Sequence, residues 1–163
     1  MKQCLCVILL FFFTVSFVDG QGPLNDSSEM KKNSVYLELM GLGVLYSVNY
    51  DHLFIVSREP VIGIGTRAGF SIFVFGLFGD KSLITTLPLE GYLSIGHRFC
   101  FELGLSNTFV FEDNTAGTSQ AIRLGGKLRG RKGPFFSFGS GIRWYHPSGE
   151  LTPLLYVGVG IAF

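Results

Sequence analysis

Ala121-Ile122-Arg123-Leu124-Gly125-Gly126-Lys127-Leu128-Arg129 alternates residue by residue between two chemistries. Ile122, Leu124 and Leu128 fall on one parity; Arg123, Gly125, Lys127 and Arg129 fall on the other. A β-strand sends successive side chains to opposite faces, so this segment reads as a strand with one apolar face and one face of glycine and full charge. The division recurs. Phe99, Phe101, Leu103 and Leu105 oppose Cys100, Glu102, Gly104 and Ser106. Phe136, Phe138, Ile142 and Trp144 oppose Ser137, Gly139, Gly141 and Arg143, and Ile62, Ile64, Ala68, Phe70 and Ile72 oppose Gly63, Gly65, Arg67 and Gly69.

Outward from that segment, the period of two extends from Ser34 to the last residue in eight runs parted by Gly, Pro, Asn and Asp: 34–41, 44–54, 61–75, 82–95, 98–111, 119–129, 134–145 and 152–163. Each run is close to, or longer than, the roughly 9–11 residues with which a tilted strand crosses a bilayer. Short connections fall at Arg58-Glu59-Pro60, Gly96-His97-Arg98 and Arg131-Lys132-Gly133, and longer ones near 76–81, 112–118 and 146–150. With eight strands, every short turn and both termini share one end, as in outer-membrane barrels. Merging the first two runs across Gly41-Leu42-Gly43 would give seven strands and break that parity, so the boundary is kept.

The composition agrees with lipid but not with helices through it. Of 163 residues, 47% are apolar and 15% charged, with 22 Gly and 17 Phe, whereas ordinary soluble domains carry about 25% charged residues. Mean hydropathy is +0.40. After residue 20, charge-free stretches such as Ala68–Gly79 and Leu151–Phe163 fall short of the roughly 20 apolar residues a spanning helix needs, and Gly interrupts both. A net charge of +1 offers no basic surface for nucleic acid. Met1–Gly20 reads as a secretory signal peptide, with Lys2 ahead of the apolar Val7–Phe13 and Val18-Asp19-Gly20 at the cleavage site. Its removal takes Cys4 and Cys6, leaving Cys100 without a disulfide partner. Gln21–Asn33 is polar and reads as a flexible tail ahead of a barrel domain at 34–163.

Periodicity does not say which face is inside. Three features favour charges inside and the apolar face outside. The charged face is rich in Gly, which leaves room in the narrow interior of an eight-stranded barrel. Aromatics gather near strand ends (Phe73, Phe75, Phe99, Phe101, Phe109, Phe111, Trp144, Tyr145), as in interfacial girdles. Lys is scarce on the apolar face. The expectation is an all-β, eight-stranded antiparallel up-and-down transmembrane β-barrel, whose closure pairs every backbone group without water. Glu38, Asp51, Arg67, Glu90, Glu102, Arg123, Lys127, Arg129 and Arg143 then line the lumen. Desolvation requires such charges to pair, so the expected lumen is salt-bridged and closed; the sharper alternative is a narrow ion path.

The chain ends in Phe163, preceded at alternate positions by Ile161, Val159, Val157 and Leu155. This ending resembles the terminal strand of bacterial outer-membrane β-barrel proteins, the strand that the barrel-assembly machinery recognises. The segment from Asn33 to Asp51 also resembles the opening of a group of small, uncharacterised Gram-negative barrels, and the architecture is similar to the OmpA membrane domain and OmpX. The resemblance implies a bacterial outer-membrane location, contact with outer-membrane lipids and lipopolysaccharide, assembly by that machinery, a monomer, no cofactor, and a structural or surface-interaction role.

Little else carries chemistry. His146, Ser148 and Glu150 could supply base, nucleophile and orienting acid, but Pro147 and Gly149 interrupt them and no lipid A deacylase or palmitoyl-transferase motif matches, so a polar turn and no enzyme are expected. His52 and His97 are isolated, and no metal is expected. Gly63, Gly65 and Gly69 alternate within a strand, unlike a dinucleotide-binding loop that opens a helix. The alternatives are a secreted, soluble lipocalin-like barrel binding a hydrophobic ligand, and a lipid A-modifying enzyme.

Overall fold

The computed structural model describes residues 31–43, 45–58, 61–75, 82–112, 115–130 and 133–163. The expected signal peptide, most of the tail and the 76–81 connection lie outside them. Eight strands form: β1 (Asn33–Leu39), β2 (Tyr46–Arg58), β3 (Val61–Phe75), β4 (Ser82–Gly96), β5 (Phe99–Glu112), β6 (Thr115–Arg129), β7 (Pro134–His146) and β8 (Leu151–Ala162). Each pairs antiparallel with its sequence neighbours, and β1 pairs with β8, so the sheet closes in up-and-down order. The start of β1, the end of β8 and the connections after β2, β4 and β6 share one end, here the terminal end; the opposite end is the loop end.

β2 runs past its expected end at 54 to Arg58, held by its ladder with β3 through Ser57↔Ile62 and Arg58↔Val61, and two further boundaries differ from the sequence reading. β6 begins at Thr115 rather than 119, so only residues 113–114 join β5 to β6 where a longer loop was expected. Thr115-Ala116-Gly117-Thr118 is small and polar and reads as loop, yet each residue holds a ladder position, from Glu112↔Thr115 to Phe109↔Thr118. The Thr115 hydroxyl also donates to the Glu112 carbonyl at 2.9 Å. At the other boundary, β1 stops at Leu39. Met40 takes a left-handed φ of 57°, and Gly41-Leu42-Gly43 folds into the barrel mouth instead of extending the strand. Leu42 is 1% exposed and joins Ala121, Leu154 and Tyr156 in an apolar cluster. Its N–H donates to Glu38 at 3.0 Å, Arg143 donates to the Gly41 carbonyl at 2.8 Å, and Ser71 donates to the Gly43 carbonyl at 3.1 Å.

Side-chain parity places the charged, glycine-rich face inside and the apolar face outside. Leu103, Leu105, Ile122, Leu124 and Ile142 are exposed, while Glu38, Asp51, Arg67, Arg123 and Lys127 are buried. The terminal apolar set, Leu155, Val157, Val159, Ile161 and Phe163, is exposed along β8 and the residue after it. Among the girdle aromatics whose side chains are described, two point inward instead. Phe73 shares the parity of Arg67 and Ser71 and is buried; Tyr145 shares that of Arg143, whose guanidinium donates to its hydroxyl at 3.2 Å.

The glycines set the interior spacing. Tyr92 lies laterally between Gly65 and Gly104, Arg123 between Gly104 and Gly141, and Glu102 between Ser94 and Gly125. A Cβ at Gly65 would run into the Tyr92 ring, and one at Gly125 or Gly139 into the Tyr156 ring. Overpacking of this kind costs about 1–3 kcal/mol. Gly65→Val is therefore expected to lower unfolding free energy by about that amount in a urea titration of the refolded barrel. Gly91→Ala, where an added Cβ meets nothing within 4 Å, should stay within about 0.5 kcal/mol of the parent. Equal losses at the two positions would contradict this account of the interior.

Candidate functional site

Inside the barrel, Asp51 on β2, Arg67 on β3 and Glu90 on β4 are direct lateral neighbours. Alternation alone puts the three on the inner face, and the register puts them side by side, an acid–base–acid row of the kind that stabilises cross-strand pairs. Arg67 reaches Glu90 and Glu102 at 2.9 Å each and Asp51 at 3.6 Å. Arg123, on β6, bridges Glu38 at 2.8 Å and Glu90 at 3.1 Å. Lys127, two inner positions further along β6 and past Gly125, meets Asp51 at 2.6 Å and Glu102 at 3.3 Å. The result is one connected network of four carboxylates and three cations, drawn from six of the eight strands.

Aromatic side chains complete it. The Arg123 guanidinium lies 3.8 Å from the Tyr156 ring centroid, and Arg67 lies 4.7 Å from that of Tyr92 and 5.3 Å from that of Tyr36. Lys127 stands 4.6 Å from the Phe135 ring. Such contacts are worth more when desolvated, about 2 kcal/mol or above. The Tyr92 hydroxyl donates to Asp51. Every member of the network is buried, so each charge depends on these partners rather than on water.

Two of the nine residues expected to line the lumen stand apart from the carboxylates. Arg143 is buried, but its donors go to the Gly41 carbonyl and the Tyr145 hydroxyl. Its excess charge therefore sits against dipoles of the inturned loop. Arg129 is half-buried at the terminal end, and its Nε has no hydrogen-bond acceptor among the described residues. With Arg143 counted, the buried charges among the described residues balance, four acids against four bases.

The sequence reading passed over Tyr36, Tyr92, Phe135 and Leu42. Parity could have found the first three, since Tyr36 shares the face of Glu38, Tyr92 that of Glu90 and Phe135 that of Ser137. Cys100 is buried at the terminal end, its thiol near the Gly96 and His97 carbonyls at 3.4 and 3.3 Å. His146, the last residue of β7, and Ser148 and Glu150 in the turn that follows are exposed. There the Glu150 N–H donates to the Ser148 hydroxyl at 3.4 Å, and no hydrogen bond joins the His146 ring to either residue among those described. Chemically, the interior arrangement pairs opposite charges with one another away from solvent.

Comparison of the chain with protein-family models, with curated proteins and with solved structures returns no match.

Proposed function

We propose that this chain is a monomeric β-barrel of a bacterial outer membrane with a closed, salt-bridged lumen and a structural or surface-interaction role. The observation that carries the reading is the inverted distribution of side chains. Arg67, Arg123, Lys127 and their carboxylates are buried inside, while Val48, Phe54, Ile64, Phe101, Leu105 and Leu124 are each more than half exposed outside. A soluble protein rarely presents an apolar patch beyond a few hundred Å², and here apolar side chains surround the wall. Strands of 12–15 residues, from β2 to β8, are long enough to cross a bilayer at a tilt. The exposed β8 face ending in Phe163 is the surface that barrel-assembly machinery would engage. Lipids, including lipopolysaccharide, are the partners this outer surface fits.

Fractionation tests the proposal against its lipocalin-like alternative. The expected result is recovery in the outer-membrane fraction, resistance to an alkaline wash, and release only by detergent. The unboiled protein should migrate faster in a denaturing gel than the boiled one. Recovery from the soluble periplasm or the culture medium without detergent would overturn the reading. The lipid A-modifying alternative predicts an altered lipid A profile on expression, lost in His146→Ala.

A further inference from the structure

Outside the lumen, the charges are sorted by end. At the terminal end, Lys31 and Lys32 precede β1, Arg98 lies between β4 and β5, and Arg129 closes β6. By sequence position, Arg58 at the end of β2, and Arg131 and Lys132 between β6 and β7, belong to the same end. Against these seven cations stands Glu59; even with Asp26 and Glu29 of the preceding sequence counted there, cations lead seven to three. The loop end is the reverse, with Asp80, Glu112, Asp113 and Glu150 against Lys81. The near-neutral total of +1 thus conceals two rims of opposite charge.

The terminal rim sets its cations side by side. Arg129 donates its backbone N–H to the Arg98 carbonyl at 2.8 Å, so the two arginines are neighbours on adjacent strand ends, a placement in which like charges repel. Lys32 and Arg98 are exposed and Arg129 is half-buried, and none of the three enters an ion pair among the described residues. Lys31, Lys32, Lys127 and Arg129 line one small recess at this mouth, where Asp51 is the one acid; Asp51 is already engaged by Lys127 and Arg67. The apolar coat of the outer wall runs to within one residue of the arginines, since Phe99 beside Arg98 and Leu128 beside Arg129 are both exposed. Between β4 and β5 only residues 97–98 extend beyond the strands.

We propose that the terminal rim binds the headgroup phosphates of anionic phospholipids in the leaflet around it. The inference rests on the membrane reading above. Hydrocarbon-facing side chains end one residue away, and the connections are too short to carry the cations further, so these groups stand at headgroup height. A soluble polyanion would be met better by cations on long connections. Each Lys or Arg beside an anionic leaflet raises association about fivefold. The acidic loop end repels the same lipids, which makes the attraction one-sided.

The test uses the full-length mature barrel, refolded and reconstituted into phosphatidylcholine bilayers. A trace of spin-labelled phosphatidylglycerol, or of spin-labelled phosphatidylcholine with the same acyl chains, is added, and electron paramagnetic resonance reads the fraction of each held at the barrel surface. The expected result is a larger held fraction for phosphatidylglycerol. That excess should shrink at 1 M salt, where the Debye length falls to about 3 Å. Arg98→Gln should lower the relative association of phosphatidylglycerol up to about fivefold. Lys32→Gln, Arg98→Gln and Arg129→Gln together should erase the preference while the unboiled gel shift stays intact. Glu112→Gln with Glu150→Gln, at the opposite rim, should not lower it. Equal held fractions at low salt, or a preference unchanged in the triple variant, overturn the inference. So does binding of soluble polyglutamate that the triple variant loses while the two lipids stay equal, which would make an acidic polymer the partner. A barrel that inserts in membranes yet shows no lipid preference defeats this inference alone; a barrel soluble without detergent defeats the membrane reading with it.

Discussion

Arg67→Met is expected to destabilise the barrel by about 3–5 kcal/mol, the cost of leaving buried charges without a partner. Arg67 is the one cation that touches three carboxylates of the network, Glu90, Glu102 and Asp51. Its loss leaves four carboxylates facing two cations, Arg123 and Lys127. Methionine fills much of the arginine stem's volume, so cavity formation contributes little and the loss is mainly electrostatic. Arg67→Met with Glu90→Gln restores the parent balance, since Arg123 keeps Glu38 and Lys127 keeps Asp51 and Glu102. The double variant should recover most of the lost stability, because removing a buried pair together is often close to neutral. Urea titration of the refolded barrel, followed by gel mobility, reads both. A double variant as unstable as the single one would show that the network's charge balance is not what holds the interior.

Ile122→Arg carries the second large effect. Ile122 is the eighth of the fifteen residues of β6, half exposed on the outer wall at the middle of the strand. At the bilayer midplane, an arginine on the lipid face of a barrel costs about 2–4 kcal/mol. On a water-exposed wall the same change would stay within about 0.5 kcal/mol. The magnitude in lipid vesicles therefore reports the medium around the wall. Arg123 and Lys127, on the same strand but the inner parity, show that β6 tolerates cations where carboxylates await them.

Much of this architecture can be read from parity. The runs at 61–75, 82–95 and 134–145 match β3, β4 and β7 to within a residue, because each carries strict alternation between clear turn signals. The start of β6 could not be read so. Thr115-Ala116-Gly117-Thr118 has no apolar alternation and is held in the strand by its ladder with β5. Leu42 was equally hidden, since one apolar residue between two glycines carries no period; its burial depends on contacts with β6 and β8. For the charge network, alternation names the inward charges but not their partners. Glu38 and Arg123 meet across 85 positions of sequence, and only barrel closure and register bring them together. Arg143 shows the limit most plainly, because its acceptor is a backbone carbonyl in a loop that reads as a boundary.

The most direct test is the environment of the outer wall in an isolated outer membrane. Nitroxide labels at Leu103, Ile122 and Ile142, placed singly in a Cys100→Ser background, sit on exposed mid-wall positions. Their collision rates with oxygen, which concentrates in lipid, and with a water-soluble nickel chelate can be compared by electron paramagnetic resonance. At all three positions, oxygen should dominate and the chelate should be excluded. Dominant collision with the chelate at these positions would place the apolar wall in water and contradict the membrane barrel.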